Sequence, residues 1–302
     1  MKRLFLLTAL LIAVSFDSSA CRHHAEEPVK DGVLRILAIG NSFTDDGVDY
    51  LPAILENLGI KNVELVSMYI GGCTVERHVK EYESESPSYI MYVSKAGVNS
   101  WTRTDNVTLQ DALDYAKYDI VVTQQASPFS GLWDSYRPWI DKLVEYVRLT
   151  QPDALWGWQM TWSYSAEYMA DGRFTAYGTE PQNMFKAICG SVNNLLSETP
   201  YFTYLIPSAV AIDNVRNTEL SSAPLEMTRD GFHIDLGAGR YTLAMTWYQT
   251  LIYPYTGIGV TKNDFSTGNG NVKVDDQTRP VCIKAVTDAM KNYKKVIRKN
   301  SK

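Results

Sequence analysis

The sequence predicts a three-layer α/β/α sandwich built on five parallel strands. Five short β-branched or apolar runs each read as a strand buried on both faces, and longer amphipathic segments alternate with them. The 302 residues are 45% hydrophobic and 21% charged, enough to bury one large core.

Met1, Lys2 and Arg3 precede an apolar run from Leu4 to Val14, followed by Ser18, Ser19, Ala20 and Cys21. A charged start, a short apolar run and a small-residue cleavage site predict an export signal over residues 1–21, since a membrane span needs a longer apolar stretch. The Cys after small residues is similar to a bacterial lipoprotein box, which would make Cys21 a lipid anchor at a membrane face. Ordinary cleavage after Ala20 is the alternative. Residues 22–32 are polar and include Pro28 and Gly32, as expected of a spacer. Residues 33–302 then form the expected folded domain, exported to the periplasm or cell surface.

Strands are predicted near Leu34 to Ile39, Val63 to Met68, Asp119 to Thr123, Leu155 to Met160 and Phe202 to Ile206. Helices are predicted over Val48 to Leu58, Thr74 to Tyr82, Thr108 to Ala116, Asp134 to Thr150, Pro181 to Leu196, Gly237 to Ile252 and Pro280 to Ile297. The last has Thr278 as its expected cap, Pro280 in its first turn and Cys282, Val286, Met290 and Tyr293 on one stripe. Pro254 is expected to end the helix before it. Between Ser86 and Asn106, alternating stretches flank Lys95, Ala96 and Gly97, which predicts an inserted hairpin.

A net charge of −5 removes the electrostatic reason to expect a nucleic-acid partner. Apart from Cys21, the cysteines are Cys73, Cys189 and Cys282, an odd number without metal-ligand spacing. No metal or organic cofactor is implied. One disulfide with one free thiol stays open.

The first predicted strand runs into Gly40, Asn41, Ser42, Phe43 and Thr44. Ligands of open parallel sheets bind beyond the carboxyl ends of the strands, where an exposed Ser can serve as nucleophile or simply cap a helix. A nucleophile needs a base. His23 and His24 lie in the spacer, and His78 reads as a surface residue of an amphipathic helix, which leaves His233. Asp230 stands three residues before it across Gly231 and can accept the imidazole Nδ1 proton, freeing Nε2 for the Ser42 hydroxyl.

Together these blocks resemble the SGNH (GDSL-like) hydrolases, with Gly40-Asn41-Ser42 standing at the nucleophile block and Asp230 to His233 at the final block. The chain is most similar to an uncharacterised secreted SGNH-like family common in Bacteroidetes that shares Gly-Asn-Ser-Phe-Thr, Gly-Gly and Gln-Gln blocks. The resemblance covers roughly residues 33 to 253. It implies a flavodoxin-like sheet, a serine esterase with Ser42, Asp230 and His233 as catalytic residues, and an oxyanion hole. Donors implied for that hole are the Ser42 backbone, Gly71 or Gly72, and a side-chain amide after the third strand. There the usual Gly-x-Asn-Asp is replaced by Thr123, Gln124, Gln125 and Ala126, so Gln125, slightly before Gln124, is the expected third donor. Asn41 replaces an Asp and is expected to keep the hydrogen bonds of the turn at the edge of the substrate site.

Aromatic side chains gather after the strand ends. Trp156 and Trp158 read as core, whereas Trp133, Trp162 and Tyr164 are expected at the rim, where sugar rings stack. The expected substrate is therefore an acylated glycan or small ester that loses a short acyl group. Rival readings are a glycan-binding surface protein that has lost catalysis, and acyl transfer or lipid cleavage by the same residues.

Overall fold

The computed structural model describes residue 29 and residues 31–170, 172 and 175–301. The predicted export signal, Cys21 and most of the spacer lie outside the described residues.

Seven strands form one sheet. They are β1 (Leu34–Gly40), β2 (Val63–Tyr69), β3 (Tyr89–Ser94), β4 (Thr102–Val107), β5 (Ile120–Thr123), β6 (Leu155–Gln159) and β7 (Phe202–Ile206), in the order β4-β3-β2-β1-β5-β6-β7. The five predicted strands are all present, and β2-β1-β5-β6-β7 is their parallel, flavodoxin-like order. The count of five is corrected to seven. The predicted hairpin does not stand apart but pairs antiparallel onto β2, with Ser67 opposite Tyr92.

Helices cover both faces. Val75–Glu83 packs with Leu109–Tyr115 and Trp139–Arg148, while Ala238–Trp247 packs with Ser42–Val48, Ser208–Arg216 and Thr278–Asn300. Trp156 and Trp158 are buried between layers, as their place inside a strand predicted.

Several boundaries move for identifiable reasons. The helix expected from Asp134 begins at Trp139, because Pro138 at its N-cap lacks the N–H that a continuous helix needs. The C-terminal helix begins at Thr278 itself, after Gln277, and Asp275 accepts from both backbone N–H groups. Pro254 does not end its helix: a π turn over Tyr248–Ile252 intervenes, and Pro254 falls in the first turn of Tyr253–Thr256. Ser208–Arg216 has no counterpart among the predicted helices.

Candidate active site

β1 ends at Gly40 so tightly that a Cβ there would lie 1.9 Å from Thr44 Oγ1. Asn41 is extended, and its side-chain oxygen accepts the Phe43 N–H at 3.0 Å. Asn41, not Ser42, is therefore the helix cap. Ser42 becomes the first helical residue with its hydroxyl free of capping duty. The helix predicted over Val48 to Leu58 spans Leu51–Asn57, and this Ser42–Val48 helix precedes it.

The Ser42 hydroxyl meets His233 Nε2 at 2.8 Å, and His233 Nδ1 meets Asp230 Oδ2 at 2.6 Å. Asp230 also fixes the loop, since its other oxygen accepts the backbone N–H of His233 at 2.8 Å and of Phe232 at 3.2 Å. Burial pushes this carboxyl up, but the bonds from the His233 side chain and from the two N–H groups outweigh it and hold it below its ordinary value. The loop closes through the antiparallel bridge Thr228 to Ile234, with the Arg229 N–H on the His233 carbonyl at 2.9 Å. Gly231 has φ +95°, and a Cβ there would meet the Tyr168 Cβ at 2.6 Å, so both backbone and space require glycine.

Gly71 and Gly72 follow β2 beside this turn, where the Ile70 N–H donates to the Gly40 carbonyl at 3.3 Å. Among the described residues, the backbone N–H groups of Ser42, Gly71 and Gly72 donate to no protein acceptor. Three donors are thus uncommitted around the nucleophile turn.

A family model described as a domain of unknown function, DUF4886, matches residues 35–285. The chain belongs to the DUF4886 family. A DUF4886 protein from Bacteroides uniformis is 32% identical, with a TM-score of 0.74 over 85% of this chain and 95% of its own. A Slackia heliotrinireducens protein described as a candidate SGNH hydrolase is 19% identical, with a TM-score of 0.49 over 72% of this chain and 98% of its own. A catalytic mutant of an acetylxylan esterase from Geobacillus stearothermophilus is 14% identical, with a TM-score of 0.46 over 72% and 93% of the two chains. No curated protein matches the chain.

In this DUF4886 chain the two glutamines exchange their expected places. The Gln125 amide is consumed: its oxygen accepts from Val75 and Ala126, and its nitrogen donates to the Ser135 carbonyl at 2.9 Å and hydroxyl at 3.1 Å. Gln124 instead reaches the nucleophile turn, donating to Asn41 Oδ1 at 2.7 Å. Asn41 is 2% exposed, and its nitrogen donates to the Cys73 carbonyl at 3.0 Å, so it braces three strand ends and does not face substrate.

Two of the three expected rim aromatics are also corrected. Trp162 is fully buried, stacked on Phe43 with centroids 4.2 Å apart, and its Nε1 donates to the Phe232 carbonyl at 2.9 Å. Tyr164 is buried with its hydroxyl on Ser127 at 2.8 Å. They form the floor beneath the loop, and Phe232 packs against His233 at 4.0 Å between centroids. Trp133 alone stays partly exposed.

His78 is not a surface residue. It is buried, with Nδ1 2.9 Å from the Tyr89 hydroxyl and 3.4 Å from Cys73 Sγ. Burial pushes this imidazole down to about 3 and the Cys73 thiol up to about 12, so the pair is neutral and inert as a nucleophile. Cys73, Cys189 and Cys282 are all free thiols.

The feature that the sequence does not reveal is a charged clamp. Asp46, fully buried one turn after Ser42, accepts from Arg229 Nη1, from Arg240 Nε at 2.8 Å and from the Ile234 N–H at 3.2 Å. It ties the nucleophile helix to the loop that carries His233. Neither arginine stands at a helical or strand spacing from Asp46, so only the folded chain pairs them.

Proposed function

We propose that this chain is a serine ester hydrolase that removes a short acyl group, acetyl above all, from a carbohydrate or glycoconjugate. The observation that carries the reading is the unbroken chain of contacts from Ser42 through His233 to Asp230. His233 Nε2 takes the Ser42 proton as Oγ attacks the ester carbonyl, while Asp230 keeps the imidazole oriented and stabilises its charged form. The developing oxyanion takes hydrogen bonds from the N–H of Ser42 and of Gly71 or Gly72. His233 then returns the proton to the departing sugar oxygen. Water, deprotonated by the same imidazole, cleaves the acyl-enzyme and restores Ser42. The export signal and the Cys21 anchor that the sequence predicts support this reading, since acylated glycans occur outside the cytoplasm at membrane faces.

One observation favours a second reading, a glycan binder with little or no turnover. The Gln125 amide is fully committed elsewhere, so the residue expected first as third oxyanion donor is not free to serve.

Both are tested by hydrolysis of a short-chain aryl acetate by residues 22–302, beside Ser42→Ala and His233→Ala. Turnover lost in both variants supports the esterase. A folded parent inert on that ester and on acetylated glycans overturns it in favour of the binder.

A further inference from the structure

A cavity of about 180 Å³ lies on the flank of the nucleophile helix and is lined by Asp45, Asp49, Ser67, Tyr92, Trp101 and Arg240. Ser67 and Tyr92 are register partners on β2 and β3, so their side chains share one face of the sheet. Asp45 follows Ser42 by three residues, which puts the two on the same side of the helix and about 4.5 Å apart along its axis. Trp101, just before β4, is anchored by its Nε1 on the Asp49 carbonyl at 3.1 Å.

The polar groups of this cavity fall into two sets. Arg240 is occupied, bonded to Asp46 and Asp49. Ser67, in contrast, is 2% exposed and its Oγ is buried without any hydrogen-bond partner. Among the described residues the Asp45 carboxyl and the Tyr92 hydroxyl also make no hydrogen bond. Leaving a buried hydroxyl unpaired is costly, so an unpaired donor and acceptor facing a cavity mark a place for a ligand's polar atoms.

Charge narrows the ligand. Arg240 is ion-paired with Asp46 and Asp49 and so presents no free cation to an anion, while its guanidinium in the wall beside Asp45 weighs against a second cation. A neutral molecule meets neither objection. The free groups are a carboxyl and two hydroxyls beside an indole, the set that pairs with vicinal hydroxyls while stacking an apolar ring face. Burial, with Asp46 and Asp49 adding to it and Arg240 opposing it, pushes the Asp45 carboxyl up to about 7.

We propose that this cavity binds one neutral, hydroxyl-bearing sugar residue of a glycan chain that runs past Ser42. Its link to Ser42 rests on the acyl-glycan reading above, whereas the binding itself does not.

The test is made in the Ser42→Ala chain, residues 22–302, so that binding is scored whether or not the parent is an esterase. Unacylated xylotetraose, cellotetraose, mannotetraose and chitotetraose are titrated by calorimetry, with the Trp101 indole N–H resonance, assigned through Trp101→Phe, as the site-specific reporter. The expected result is saturable binding of at least one of the four that shifts this resonance. Asp45→Asn and Ser67→Ala, each with an unchanged far-ultraviolet spectrum, weaken it at least tenfold. No shift at Trp101 with any of the four overturns the proposal, as does binding that both variants leave intact. A parent that cleaves aryl acetate but binds no sugar here overturns this inference alone. A parent that binds through Trp101 without cleaving any ester overturns only the esterase reading.

Discussion

Asp46 and Arg229 are hydrogen-bonded through both carboxylate oxygens, at 2.9 and 3.1 Å, across 183 residues of chain. Asp46 sits four residues after the nucleophile and Arg229 four before the base, so the pair sets the distance between Ser42 and His233. Asp46→Asn leaves two guanidinium groups facing a neutral amide. It is expected to cost about 3–5 kcal/mol of stability, the usual penalty for breaking a buried ion pair. In the fraction that stays folded, kcat falls and KM for an aryl acetate stays within about twofold, because positioning of the proton acceptor is lost and not ground-state binding. A melt and a kcat-against-KM comparison check both. An unchanged kcat would show that the loop holds His233 without the clamp.

Removing any member of the Ser42, His233 and Asp230 chain is expected to be non-additive. Ser42→Ala or His233→Ala should each lower kcat by about a thousandfold or more, and the double variant should fall little further. Asp230→Asn should lose about a hundredfold or more, because the amide can present its N–H to Nδ1 and turn the imidazole to the wrong tautomer. Initial rates on one ester measure all of these.

Gly231→Ala is expected to destabilise the chain by about 1–3 kcal/mol from its positive φ, with the clash against Tyr168 adding to that. The readout is the urea midpoint at constant m-value. A midpoint equal to the parent would mean that the His233 loop has an alternative backbone path.

Asp45 carries a pH dependence of defined sign. Its folded value of about 7 lies above the ordinary 3.8, so between these pH values the folded chain holds a proton that the unfolded chain has released. Stability from this group therefore falls as pH rises from about 4 to 7 and stays lost above it. The shift converts to at most about 4 kcal/mol, and relaxation of a site open to a cavity lowers this to on the order of 1–2 kcal/mol. Asp45→Asn should be more stable than the parent at pH 8, with the gap closing toward pH 4. A pair of urea titrations reads it.

Cys73, Cys189 and Cys282 are buried, and burial pushes their thiols up to about 12, 12 and 11. Iodoacetamide at pH 8 should label none of them in the native chain and all three in urea, as counted by intact mass. Native labelling of Cys73 with loss of activity would reopen a role for it.

The parallel strands were legible because each is a short apolar run bounded by turn residues, and Ser42 and His233 because each stands in a block whose neighbours have mechanistic work. The side-chain destinations were less so. Trp162 and Tyr164 follow a strand end whether they line a cleft or floor a loop, and the difference is made by Phe43 and Phe232, which come from distant segments. His78 sits on a helix whose neighbours Glu76, Arg77 and Lys80 are charged, so its pattern reads as surface; only the packing of β3 places Tyr89 over it. Gln124 and Gln125 differ by one residue, and opposite sides of the chain at that point take them to Asn41 and to Ser135. Local pattern reports which face a residue occupies, not what stands opposite.

The antiparallel hairpin also decides how the sheet meets its surroundings. Without it the outermost strand on that side would be β2, whose apolar Leu65, Val66 and Met68 would border an unpaired row of backbone groups. With it the last strand is β4, which reads Thr-Arg-Thr-Asp-Asn-Val and is exposed along nearly all its length, with Arg103 and Asp105 bridged to each other. A strand from a second molecule would have to displace solvent from that ion pair in order to dock. The insertion therefore guards this side of the sheet against growing edge to edge.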